Sequence, residues 1–318
     1  MNEKLKERLR PVAKVVRRVD LGCHRLLQGA FRTLGLNVFP VNDYYSPLPV
    51  MPRLKKTQPR WCKPSRMAGV AFDLDAMKQK LTHLLDKFGA EYEAQPGFAV
   101  NRKKGFGPGF TPVDALVEYM MIRESRPRRY FEVGSGLSTY YASLAAAKNA
   151  GEGHPVRIHC VEPYPYEKLR SLPGIELTQK EVQDVELEFF QQLEAGDILF
   201  LDSTHIVKVD GDVPYLILEV LPSLKKGVIV HVHDIQFPYN IPFPPEPCIY
   251  DAVWPLYGTE AMLLQAFLCH NPTYRITLSP TLLWYHDVDF LHRILPGYEF
   301  NVADPRNFCC SLWMEKVQ

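Results

Sequence analysis

The sequence predicts an α/β protein built on a doubly wound, mostly parallel sheet, and three observations predict it. From residue 111 onward, short apolar runs alternate with helix-length segments over short connections. One of these runs ends in Gly134-Ser135-Gly136 and opens directly into a helix-like segment, a turn that lets backbone approach a ligand closely. A chain of 318 residues with 46% hydrophobic and 23% charged residues can bury a full core and is neither disordered nor fibrous in composition.

Strands are expected at 129–134, 157–162, 175–180, 197–202 and 228–234, with helices at 138–149, 165–172, 185–194, 213–224 and 259–269. Thr111 before Pro112 is a good N-cap and first-turn pair for a helix running to about Arg123. Near the end, residues 274–278 with 282–285, and later 310–314, read as two further strands, about seven in all. Upstream, Phe72, Leu74, Met77, Leu81, Leu84, Leu85 and Phe88 give helical spacing over 73–90. Pro40, Pro47, Pro49, Pro52, Pro59 and Pro64 make 38–66 an extended arm. The expected organisation is a helical and extended N-terminal addition over 1–110, with a Pro-rich arm and a Gly-rich lid, and a catalytic domain over 111–318.

The net charge of +1 hides an asymmetry: residues 1–70 carry fifteen Lys and Arg against four Asp and Glu. Leu5, Leu9, Val12, Val16 and Val19 recur among basic residues, which predicts a positively charged helix interrupted at Pro11. Such a helix would pack on the main domain or on a second copy as a homo-oligomer contact, or face anionic substrates or a membrane surface. No reader motif for specific nucleic acid accompanies the charge. Seven cysteines without a C-x-x-C pair indicate neither a disulfide framework nor a zinc knuckle. With no signal-peptide pattern and no apolar run long enough to span a bilayer, a cytoplasmic protein is expected.

Glu132 stands two residues before Gly134, where a carboxylate suits an ammonium or sulfonium group. Thr139 occupies the third glycine position of the dinucleotide fingerprint, which weakens a pyrophosphate reading. Glu162 ends the next strand, where ribose hydroxyls lie in this architecture. These features, with 131–139, Leu201-Asp202-Ser203-Thr204-His205 and His231-Val232-His233-Asp234-Ile235, resemble class I S-adenosylmethionine (SAM)-dependent methyltransferases. More narrowly, they are similar to the bacterial subgroup related to macrocin-type O-methyltransferases. The resemblance implies a Rossmann-like sheet with an antiparallel last strand and SAM as cofactor. It places Glu132, Gly134, Ser135, Gly136, Ser138 and Glu162 at the cofactor, with Asp184 near the adenine.

Ligands of open α/β sheets bind outside the carboxyl ends of the strands, so Asp202, His205, His233 and Asp234 should converge there. His231, deeper in its strand, is expected to be a hydrogen-bonded core residue. Two roles are open for the cluster. Asp202, His233 and Asp234 could hold a divalent metal that activates an acceptor hydroxyl. The resembling subgroup has an Asp pair where this chain has His233-Asp234, and an imidazole favours iron, manganese, cobalt or zinc over magnesium. Alternatively His205 or His233 acts as general base, assisted by Asp202. The Tyr44-Tyr45 arm, the 103–110 loop and the Pro-rich stretch 237–247 are candidate covers, and Trp254 and Tyr257 candidate pocket walls.

The function that follows is SAM-dependent O- or N-methylation of a small molecule or peptide side chain, with an anionic acceptor suggested by the basic front. An iron-dependent, oxygenase-like metalloenzyme and a non-catalytic SAM-binding partner protein are the alternatives.

Overall fold

The computed structural model describes residues 22–41, 43–301 and 308–318. The basic pattern from Leu5 to Val19 lies outside the described residues. The chain divides into two compact units, Met1–Trp61 and Cys62–Gln318. Residues 62–110, expected with the N-terminal addition, therefore belong to the sheet-bearing unit.

In the smaller unit residues 22–33 are helical, and the arm expected to be extended contains two short helices, Met51–Lys56 and Gln58–Trp61. Pro52 and Pro59 sit in their first turns, where a missing N–H costs nothing, so proline spacing there does not forbid helix. Tyr44 and Tyr45 stand 90% and 87% exposed.

The larger unit opens with α1 (Leu74–Glu93), capped by Asp73, and α2 (Pro112–Ser125), capped by Thr111. There follow β1 (Arg129–Val133), α3 (Leu137–Gly151), β2 (Arg157–Val161), β3 (Ile175–Thr178) and β4 (Ile198–Leu201). The helix α4 covers residues 212–223, with a π turn over Leu216–Val220. The chain closes with β5 (Ile229–Val232), α5 (Glu260–Leu268), β6 (Tyr274–Leu278), α6 (Pro280–Ile294) and β7 (Leu312–Lys316). Only single short turns stand at the expected helices 165–172 and 185–194.

The sheet has seven strands in the order β3-β2-β1-β4-β5-β7-β6. The first five strands pair in parallel and β7 runs antiparallel to both β5 and β6, a Rossmann-like α/β sheet with a reversed last strand. Strand order reverses between β1 and β4, the crevice where such sheets bind ligands. Register aligns the strand ends: Val133 pairs with Val161 and with Leu201, and Leu201 with Val232. Gly134, Glu162, Asp202 and His233 each follow one of those residues and so emerge side by side.

Residues 282–285 are not a strand. Ser279 caps α6 by accepting from Leu282 N–H, Pro280 fits its first turn, and Leu282, Leu283, Phe290 and Leu291 are buried at helical spacing. A four-residue apolar run cannot by itself distinguish strand from helix. In α2 residues 113–123 are all buried, including three charged side chains that each find partners. Asp114 accepts from Cys310 and Ser311 N–H, Glu118 from the Tyr130 hydroxyl, and Arg123 donates to Glu91, Asn149 and Glu152. Pairing of this kind is what makes buried charge tolerable.

Candidate functional site: two cavities meeting at Asp202

The β1 end is built around Gly134. Its φ is +77°, and a Cβ added there would lie 2.0 Å from the Asp202 carbonyl oxygen. Glycine is thus required where the ends of β1 and β4 touch. Beside this turn is a cavity of about 400 Å³ lined by Gly134, Glu162, Tyr164, Gln183, Asp202 and Thr204, among others. Glu162 accepts from the N–H groups of Ser135 (3.1 Å) and Tyr164 (2.7 Å), which fixes its carboxylate at the cavity wall. Asp212 accepts from both the N–H and hydroxyl of Thr204 at 2.7 Å and holds the β4 loop in place.

Several residues expected at the cofactor line neither of the two cavities that meet at Asp202. Glu132 faces away from the cavity into the helix-packed side of the sheet, fully buried, where it accepts from the Ser138 hydroxyl. Burial pushes its carboxyl up to about 8, against the lowering by Ser138, Thr139 and Cys160, so it is largely neutral at pH 7. It ties β1 to the start of α3. Ser138 is buried with it, Gly136 N–H donates to Thr139, and Asp184 is exposed and lines neither cavity.

Glu132→Gln tests this placement through pH dependence. A raised folded-state pKa means the unfolded chain releases the proton first, so this group's stabilisation is lost as pH rises from about 4.5 to about 8. The variant is expected to lack that slope and to exceed wild type by ~2–4 kcal/mol at pH 8. Urea unfolding at pH 5 and pH 8 compares the two, and identical slopes contradict the placement.

A second cavity, of about 290 Å³, opens on the other side of Asp202, which lines both. It contains His205, His233, Asp234, Glu260, Phe110 and the segment Ile241-Pro242-Phe243-Pro244. His205 Nε2 lies 3.4 Å from Asp202 Oδ1 and 3.2 Å from Asp234 Oδ2, and its Nδ1 lies 2.8 Å from Glu260 Oε2. His233 Nδ1 lies 3.5 Å from Asp202 Oδ1 and 3.7 Å from Asp234 Oδ1. On its far side, His233 Nε2 lies 3.5 Å from Asp114 Oδ2 and 3.5 Å from Cys310 Sγ. His205 and Asp234 both have left-handed backbones, φ +61° and +55°, a strain that non-glycine residues carry where the surroundings impose it.

Charge in this cluster is mutually stabilised. Burial alone would raise Asp202 and Asp234, but the two imidazoles outweigh it and hold both carboxyls below their ordinary range. Burial would likewise lower His205, yet Asp202, Asp234 and Glu260 lift it well above 6.5. His233 is lifted against burial by Cys310, Asp234, Asp202 and Asp114. His231 is different: it is fully buried, kept neutral chiefly by burial, bonded to the Ser311 hydroxyl at 2.8 Å and stacked on Trp313, the core histidine the sequence predicts.

The structure adds Glu260, Asp114 and Cys310, which sequence reasoning missed. The signal available for Asp114 was an acid in the first turn of a largely apolar helix; Glu260 and Cys310 carried none. Of the candidate covers, Pro108 to Phe110 and the 241–244 segment line the second cavity. Trp254 is 77% exposed and, like Tyr257, is not a wall; Leu256 and Gly258 are.

Residues 131–235 match a methyltransferase domain model. That span runs from within β1 to just past β5 and contains Gly134, Glu162, Asp202, His205, His233 and Asp234. The chain is also 29% identical over 172 residues to an uncharacterized protein of Archaeoglobus fulgidus, covering 51% of this chain and 76% of that one. Among solved structures it is similar to an SAH-bound methyltransferase of Podospora anserina, at 14% identity and a TM-score of 0.42, covering 89% of this chain and 100% of that chain. It is similar too to an O-methyltransferase of Streptomyces achromogenes in complex with SAM, at 13% identity and a TM-score of 0.39, covering 78% and 92% respectively. No described helix is long and apolar enough to cross a membrane.

Proposed function

We propose that the methyltransferase domain transfers the methyl group of SAM to a hydroxyl of a small acceptor, with metal assistance. The observation that carries this reading is the pair of cavities meeting at Asp202: a donor in one and an acceptor in the other face each other across a single carboxylate. Glu162, its carboxylate fixed by the Ser135 N–H, would accept from ribose hydroxyls, and the Gly134 turn would admit the methionine portion beside Asp202.

The residues present fit a divalent ion. His233 Nδ1 is buried without a hydrogen-bond partner and faces two carboxylates. Ligand atoms of Asp202, His233 and Asp234 lie within 4.8 Å of one another, and these three residues would hold the ion. When bound it supplies Lewis acidity that lowers the pKa of the acceptor hydroxyl. A second group, Asp114, His233 and Cys310, is less suited, because Asp114 is already occupied by the Thr111 hydroxyl and the Cys310 and Ser311 N–H groups. Asp114 acts as a clamp on Nε2 of His233 and keeps Nδ1 directed at the acids, as carboxylates behind metal-binding histidines do.

Asp202, Asp234 and Glu260 keep His205 protonated while their charges face it; with Asp202 and Asp234 committed to a cation, two of these three would be neutralised and the imidazole could take the acceptor proton. Glu260, 3% exposed and bonded to Ser203 at 3.0 Å, holds Nδ1 and turns Nε2 toward the cavity. Enclosure by Phe110 and the 241–244 segment excludes water, and collinear alignment of oxygen, methyl carbon and sulfur does the rest.

The cofactor half is tested by Glu162→Ala, expected to weaken S-adenosylhomocysteine (SAH) binding about 10-fold or more through lost ribose hydrogen bonds. Calorimetry reads the change. Unaltered affinity would place the ribose elsewhere.

A further inference from the structure

The smaller unit buries none of its described residues, 22–41 and 43–61, and ten large apolar or aromatic side chains between Leu26 and Leu48 are exposed. Exposed apolar surface of that extent marks a face that meets a partner. The packed core of the larger unit runs from Met67 to Met314.

The helix over residues 22–33 shows how this surface is organised. Leu27 and Leu34, the latter in the turn that follows, are 54% and 73% exposed, with Ala30 between them and Leu26 and Phe31 flanking the row. Helical spacing puts these side chains on one side and Arg25, Gln28 and Arg32 on the other. In the sequence upstream, Leu5, Leu9, Val12, Val16 and Val19 repeat the same three-and-four spacing among basic residues. Downstream, the rings of Tyr44 and Tyr45 meet edge to face with centroids 5.1 Å apart, and each offers an apolar body with a polar tip.

Charge decides which partner fits. Residues 1–61 hold thirteen Lys and Arg against four Asp and Glu, and Arg25, Arg32, Arg53, Lys56 and Arg60 are exposed. A second copy of this chain would meet that surface with the same excess of positive charge. An anionic bilayer supplies both complements: acyl chains for the leucines, with tyrosine rings at headgroup level, and lipid phosphates for the basic side chains.

We propose that the smaller unit docks on an anionic lipid surface, with the 22–33 helix lying in the headgroup plane and Leu27 and Leu34 turned into the acyl layer. The inference is independent of the reaction at Asp202.

Co-sedimentation of the full chain with vesicles tests it, using equal parts phosphatidylcholine and phosphatidylglycerol in one set and phosphatidylcholine alone in the other. Binding to the mixed vesicles is expected to be at least about 10-fold tighter, and to weaken at least about 10-fold between about 0.05 M and about 0.5 M salt. Leu27→Ser with Leu34→Ser is expected to weaken it about 10-fold or more by removing apolar burial. Arg25→Gln with Arg32→Gln is expected to weaken it at least about fivefold. Both pairs should leave the melting temperature within about 2 °C of wild type, because the side chains are exposed. Absence of sedimentation with either vesicle overturns the proposal, as does equal binding to both compositions or binding that the leucine pair leaves unchanged. A dimer that the leucine pair dissolves, without lipid binding, would give the face to a second copy. A melting temperature lowered beyond that margin by the leucine pair would give it to the larger unit, and either result overturns the proposal.

Discussion

Gly134→Ala is expected to abolish measurable SAH binding, a loss of at least about 100-fold, because displacing a binding residue by about 1 Å costs on that order. The added Cβ would sit 2.0 Å from the Asp202 carbonyl oxygen, and backbone cannot yield as a flexible side chain does. Moving Asp202 would disturb both cavities at once, since it lines each. The left-handed φ of +77° adds ~1–2 kcal/mol of strain for any residue with a Cβ. Calorimetric titration of SAH, with a melting curve to confirm folding, reads the effect. A folded variant with wild-type affinity would show that the β1–β4 junction is not the cofactor seat.

Asp234→Asn is the second large effect. It keeps the shape of the side chain and removes one of the charges facing His205 at 3.2 Å and His233 at 3.7 Å. Cation affinity, followed by Mn2+ electron paramagnetic resonance, is expected to fall by about 100-fold or more, and methyl transfer by 10²–10⁴-fold on the same order as loss of an activating group. SAH affinity should change little, because Asp234 lines only the acceptor cavity. Undiminished Mn2+ binding would remove Asp234 from the ligand set.

The residues that carry these predictions were legible to different degrees, for physical reasons. β1, β2, β4 and β5 were readable because strands buried on both faces are short continuous apolar runs, each followed here by a turn or a polar residue. Their carboxyl ends therefore located Gly134, Glu162, Asp202 and His233 correctly along the edge. Alternation along β1 implies that Glu132 and Val133 point to opposite sides, but not which side the ligand takes, and Glu132 proved to face α3. Residues 282–285 were ambiguous because four apolar residues fit a strand or one turn of helix equally. Glu260 and Cys310 lie 55 residues from His205 and 77 from His233 in the chain, so their roles arise only when α5 and the approach to β7 return to the strand ends.

Charge at the chain's front is a different kind of signal. Fifteen basic residues in the first seventy suggested an anionic acceptor, and among the described residues the cavity at Asp202 is lined by apolar side chains, carboxylates and imidazoles. Net charge over a segment describes the surroundings a protein meets; the atoms lining a cavity decide what it holds.

The central claim is that a SAM site and a cation-assisted acceptor site adjoin at Asp202 but bind separately. Calorimetric titration of SAH into the full chain, before and after exhaustive chelation, tests it most directly. The expected result is saturable one-to-one binding that survives chelation, with Mn2+ then restoring the acceptor site without changing SAH affinity. Absence of SAH binding in both states, or binding of a nicotinamide dinucleotide in its place, would contradict it.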